Sequence, residues 1–161
     1  MSIAVGDKWP EAELLKMGAN GPETVDMGRF LAGRKVVLFA LPGAFTGVCS
    51  TAHLPSFIRT ADAFRAKGVD EIVCLSVNDP FVLGAWAEAT GADDAGIVLL
   101  GDADGALTEK LGMAFTFAPK GLHGRSNRYA VVIEDGVVTR AQIDRPGECN
   151  ISTGEALLAE L

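Results

Sequence analysis

Lys35-Val36-Val37-Leu38-Phe39-Ala40-Leu41 runs straight into Pro42-Gly43, and this stretch decides the architecture. After Lys35 no polar residue interrupts it, so it reads as a strand covered on both faces, the kind found inside parallel sheets. Pro-Gly then stops it. Glu71-Ile72-Val73-Cys74-Leu75-Ser76-Val77 reads the same way and stops at Asn78-Asp79. Ile97-Val98-Leu99-Leu100 is a third, shorter run ending at Gly101-Asp102. Between the first two strands Phe57, Ile58, Ala61 and Phe64 recur at helical spacing, with Gly68 as the stop. Pro55 is predicted to bend or break a helix begun near Cys49. Asn78-Asp79-Pro80 reads as a helix start, with the helix carried over 81–89.

Strand, helix, strand, helix, strand argues for a parallel core with crossover helices. The end of the chain differs. Residues 129–133 and 137–143 flank Glu134-Asp135-Gly136, an antiparallel hairpin with Asp-Gly at its turn. Residues 152–161 read as a terminal helix opened by Ser152 or Thr153 and packed through Ala156, Leu157 and Leu161. The expected fold is therefore α/β and thioredoxin-like: a central mixed sheet flanked by helices, with an added N-terminal segment. No repeat or low-complexity linker appears, so residues 1–161 read as a single domain.

Composition narrows the function. The 161 residues are 48% hydrophobic and 22% charged, with a net charge of -7. That balance suits a folded soluble chain that repels phosphate backbones, so nucleic acid is not an expected partner. The 36–42 run is too short to span a bilayer, so no membrane is expected. Met1-Ser2-Ile3-Ala4-Val5-Gly6-Asp7 shows no basic start followed by an apolar core, although a leader already removed would leave no trace. Cys49, Cys74 and Cys149 are too few and scattered for a disulfide scaffold. With two histidines and no Cys-x-x-Cys, a zinc site has few ligands to draw on. A reducing cytoplasm fits best, where each thiol is read by its reactivity.

The chemistry concentrates in Pro42-Gly43-Ala44-Phe45-Thr46-Gly47-Val48-Cys49-Ser50. The chain leaves a buried strand at its carboxyl end, where open α/β sheets bind ligands, and enters a helix. A cysteine in that first turn meets unpaired N–H groups and the positive end of the helix dipole, both of which favour thiolate. Thr46 can present a hydroxyl to the same pocket. The plain alternative is a buried thiol at a Pro-Gly turn that needs no function.

Pro42-x-x-x-Thr46-x-x-Cys49 resembles the active-site motif of the peroxiredoxins. The wider stretch through His53-Leu54-Pro55-Ser56-Phe57 is similar to the type II branch, which includes the mammalian atypical two-cysteine enzyme and plant and bacterial proteins. The resemblance continues through Cys74-Leu75-Ser76-Val77-Asn78-Asp79, Trp86, Gly101-Asp102 with Gly105, Arg125-Ser126-Asn127-Arg128-Tyr129, and Glu134-Asp135-Gly136-Val137-Val138. Gly47 departs from it, since the family usually carries Pro there. The resemblance implies a thiol peroxidase for hydrogen peroxide and organic hydroperoxides. Cys49 would attack and become a sulfenic acid, Thr46 would hold the peroxide, and Pro42 would wall off water. Arg128 would lower the Cys49 pKa and stabilise charge on the oxygens. Arg125 is the alternative arginine, but the family's stands directly before the aromatic that opens a strand, which selects Arg128.

Other residues divide between roles. His53 lies one helical turn after Cys49, so a Cys-His pair is geometrically possible; a packed histidine beside Pro55 is the preferred reading. Asp102-Ala103-Asp104-Gly105 lacks the later ligands of a calcium loop and reads as a plain turn. Trp86, Phe45 and Phe81 read as core or subunit contacts. Cys74 sits mid-strand and Cys149 in a loop after Arg145-Pro146-Gly147-Glu148; either is a candidate resolving thiol. A one-cysteine cycle is preferred, with glutathione, glutaredoxin or thioredoxin as the reducing co-substrate and no cofactor. The resemblance implies a homodimer. Competing readings are a Cys49–His53 hydrolase, a disulfide reductase lacking its second cysteine, and a peroxide-sensing module without efficient turnover.

Overall fold

The computed structural model describes residues 3–161; Met1, Ser2 and the side chain of Cys49 lie outside the described residues. The added N-terminal segment is a hairpin of β1 (Glu13–Gly18) and β2 (Gly21–Asp26), followed by the short α1 (Met27–Leu31). The apolar run becomes β3 (Lys35–Ala40). A π-helical turn, Cys49–His53, then leads into α2 (Leu54–Ala66). After β4 (Glu71–Ser76) come α3 (Pro80–Thr90), β5 (Val98–Gly101) and α4 (Ala106–Lys110). A separate ribbon pairs β6 (Ala114–Phe117) with β7 (Leu122–Ser126). The chain closes with β8 (Tyr129–Glu134), β9 (Val137–Ile143) and α5 (Gly154–Leu158).

The main sheet has the order β2-β1-β5-β4-β3-β8-β9. Strands β3, β4 and β5 run parallel, while β8 lies antiparallel on the other side of β3. Alternation along β3 explains its unbroken apolar character. Val37 and Phe39 face the core shared with Phe57 and Phe64 of α2, Trp86 of α3 and Leu157 of α5. Val36, Leu38 and Ala40 face the opposite core, with Trp9, Met27, Leu107 and Tyr129. Both layers must be filled, so after the half-buried Lys35 a polar residue has no place in the strand.

Pro55 does not end the helix begun near Cys49. It sits in the first turn of α2, and the chain stays helical on either side of it. Proline lacks an N–H and its ring collides with the carbonyl four residues back. Widening the preceding turn to π geometry gives the ring room without stopping the helix. The terminal helix is also shorter than the 152–161 span expected. Thr153 caps it by accepting from Ala156 N–H at 3.2 Å, while the Ser152 hydroxyl donates to Asp144. At the β8–β9 turn Asp135 (φ 48°) and Gly136 (φ 79°) are both left-handed, as a tight hairpin requires.

Candidate active site

The loop that follows β3 is held at several points. Asn78, just past β4, accepts from Ala44 N–H at 3.0 Å and from the Ser76 hydroxyl at 2.6 Å. The Thr46 hydroxyl donates to the Gly43 carbonyl at 2.7 Å, which leaves its oxygen lone pairs turned away from that bond. Phe45 between them takes φ 61°, a left-handed conformation that a bulky residue keeps only where its surroundings impose it. Helical backbone begins at residue 47, and Ser50 N–H donates to the Thr46 carbonyl at 3.0 Å. Cys49 therefore lies in the first turn, near the positive end of the dipole. The Trp86 indole donates to the Ser50 hydroxyl at 2.9 Å, pinning this turn to α3.

His53, one turn along from Cys49, is fully buried. Its ring lies 5.1 Å from that of Phe39 and 5.7 Å from that of Phe57. Nε2 is 2.9 Å from the Ser152 carbonyl and Nδ1 is 3.0 Å from Nη1 of Arg128. A carbonyl can only accept and a guanidinium can only donate, so Nε2 carries the proton and Nδ1 is the acceptor. Burial, and then the adjacent Arg128 charge, push the imidazole down to about 3, against the Ser152 carbonyl and Asp144, which raise it. The ring is neutral at ordinary pH, with both nitrogens engaged. This removes the base that a Cys49–His53 hydrolase would use.

The two candidate arginines go to different places. Arg128, at the head of β8, reaches the helix of Cys49 through His53. Arg125, on β7, donates from Nη1 to the Pro42 carbonyl at 3.0 Å. Pro42 and Thr46 are half-buried on the loop between them. Neither the bond from Arg128 to His53 nor that from Arg125 to Pro42 has a local sequence signal, since each joins residues far apart in the chain. The sequence reading weighed His53 as a partner of Cys49 or as a packed histidine; it is packed against Phe39 and Phe57, and its bond to Arg128 was not foreseen.

The remaining candidates lie elsewhere in the fold. Cys74 is 0% exposed, in register between Phe39 and Leu99 in the parallel sheet. Cys149 is half-buried in the loop before α5. That loop closes on Asp144, which accepts from the N–H groups of Asn150, Ile151 and Ser152 and from the Ser152 hydroxyl. Burial raises the Asp144 carboxyl, but these donors outweigh it and leave it below its ordinary value. Asp102 accepts from Leu107 N–H, Thr108 N–H and the Thr108 hydroxyl, and so anchors the start of α4. Trp86 is core, while Phe45 and Phe81 are 58% and 65% exposed. Among the described residues no group of three His, Cys, Asp or Glu side chains could hold a metal ion. Among the described residues no helix is long and apolar enough to cross a membrane.

A sheet of this topology with an arginine brought against a cysteine-bearing helical turn is an arrangement suited to thiol-redox chemistry. The Redoxin family model matches residues 4–158. Peroxiredoxin-2E-2, chloroplastic, of Oryza sativa subsp. japonica is 47% identical over 99% of this chain and 73% of its own length. Peroxiredoxin-2B of Arabidopsis thaliana is 40% identical over 99% of this chain and 98% of its own. The crystal structure of reduced Prx3 from Vibrio vulnificus in complex with hydrogen peroxide is 44% identical. It superimposes with a TM-score of 0.92 over 98% of each chain. The chain belongs to the redoxin family and, within it, to the type II peroxiredoxins, which makes it a thiol-dependent peroxidase.

Proposed function

We propose that Cys49 is the attacking thiolate, with Thr46, Arg128 and Pro42 as its catalytic companions. The sulfur displaces at the distal peroxide oxygen: an S–O bond forms, the O–O bond breaks, and water or an alcohol leaves after taking a proton. Sulfur is oxidised by two electrons to the sulfenic acid. The observation that carries this reading is the 3.0 Å contact of Arg128 with His53, which brings a guanidinium to the helix turn that bears Cys49. Its charge favours the thiolate and the developing oxyanion. The Thr46 lone pairs accept from the peroxide O–H, and Pro42 covers the sulfur from bulk water. The substrates are hydrogen peroxide and organic hydroperoxides.

The sulfenic acid is reset by an external thiol, glutathione, glutaredoxin or thioredoxin, in a one-cysteine cycle without a cofactor. Complete burial of Cys74 and the hydrogen-bonded closure of the Cys149 loop on Asp144 support this, since either thiol would have to leave its setting to resolve Cys49. Residues 1–161 act as one domain, in the cytoplasm, and pair as a homodimer. Exposed Phe45, Val48, Phe81 and Phe117 offer apolar surface for that pairing. Intact mass spectrometry after one equivalent of peroxide tests the cycle. Added oxygen, or a thiol adduct when glutathione is present, located on Cys49 is expected. Loss of two hydrogens that disappears in Cys149→Ser or Cys74→Ser would overturn the one-cysteine cycle and name the resolving thiol.

A further inference from the structure

Arg125 is left without a part in this chemistry, yet it makes a long-range contact with the catalytic loop. Its Nη1 donates to the Pro42 carbonyl at 3.0 Å, from a ribbon whose strands pair only with each other among the described residues. A Cβ placed at Gly43 would collide with that same Nη1, and would lie 3.6 Å from the Thr46 methyl. The guanidinium thus occupies the side-chain space of residue 43, beside Thr46. The carbonyl it holds belongs to the 42–43 peptide unit. The next carbonyl, of Gly43, is the one that receives the Thr46 hydroxyl at 2.7 Å. Downstream the loop passes through Phe45 at φ 61°, a conformation that needs support from outside. Asn78 supplies one external tie at Ala44 and Arg125 supplies the other at Pro42.

We propose that Arg125 is a positioning residue for peroxide attack: it locks the 42–43 peptide, and through the Gly43 carbonyl it aims the Thr46 hydroxyl. Gly43 is its counterpart, since any side chain there displaces the guanidinium. This rests on the peroxidase reading of Cys49 and Thr46, and the test separates the two. Two rates are measured for wild type, Arg125→Met, Arg125→Lys, Gly43→Ala and Arg125→Met/Gly43→Ala. One is the rate of reaction with hydrogen peroxide. The other is alkylation by iodoacetamide at a pH where the thiol is fully ionised, a reaction that makes no use of the Thr46 hydroxyl.

Each single variant should lose about tenfold with peroxide, the scale of one charge-assisted hydrogen bond, and keep its alkylation rate within about twofold. Arg125→Lys keeps the charge without the fork, so its loss assigns the effect to geometry. The double variant should be no slower than the slower single one, because both break one contact. Arg125→Met reacting with peroxide as fast as wild type overturns the inference. So do losses that multiply in the double variant, or alkylation falling in step with peroxide. Should Arg125→Met fail to fold, Arg125→Lys and Gly43→Ala decide by the same comparison. A wild type that consumes no peroxide removes the peroxidase reading itself; a fast wild type beside an unimpaired Arg125→Met removes only this one.

Discussion

At Arg128 the identity of the acceptor matters as much as the bond. His53 accepts through Nδ1 while staying uncharged, so it orients the guanidinium without neutralising it. A carboxylate in its place would bind more tightly and neutralise the charge that the proposed Cys49 thiolate would draw on. Arg128→Ala should therefore raise the Cys49 pKa and slow peroxide attack. Ultraviolet thiolate absorbance against pH and single-turnover rates check this; if both stay at wild-type values, Arg128 has no such role. Pro42, Thr46, Cys49 and Arg128 stand out as candidates in the sequence because chain spacing and family resemblance mark them. His53 and Arg125 were not, because their work depends on partners 75 and 83 residues away. Nothing in a local window distinguishes a packed histidine from one that holds an arginine.

At the scale of elements, legibility followed burial. Strands β3 and β4 could be read directly because both faces are covered, which forces an apolar run. The β8–β9 hairpin could be read because only a residue pair such as Asp135-Gly136 tolerates two left-handed positions in succession. The β1–β2 hairpin had no such signal. Most of it is half-buried or exposed, and Glu13, Lys16, Pro22, Glu23 and Asp26 dilute any alternation. The β6–β7 ribbon was missed for a similar reason: it is short, bulged between Phe115 and Phe117, and mostly half-buried or exposed. Pro55 shows a further limit. Its clash was legible, but relief by a widened turn instead of a break was not, and the helix that continues past it buries Leu54 and Phe57.

Across the whole molecule, Asp144, Ser152, His53 and Arg128 form one hydrogen-bonded chain from the C-terminal loop to the helical turn that bears Cys49. Its acid sensitivity has a definite sign. The folded His53 value of about 3 lies below its ordinary 6.5, so on acidification the unfolded chain takes up that proton first. His53 therefore lowers stability as pH falls from about 6.5 towards about 3, by up to about 1.4 kcal/mol per pH unit. Asp144, also depressed, loses its contribution lower in the carboxylate range. Denaturant unfolding between about pH 6.5 and pH 4.5 should show a steeper loss for wild type than for His53→Phe, by about one proton. Equal slopes would mean that His53 is not held neutral. The central claim concerns chemistry, and stopped-flow mixing of hydrogen peroxide with wild type and with Cys49→Ser tests it most directly. Wild type should consume peroxide far faster than free cysteine, and folded Cys49→Ser should fall to background; turnover retained in Cys49→Ser would contradict the account.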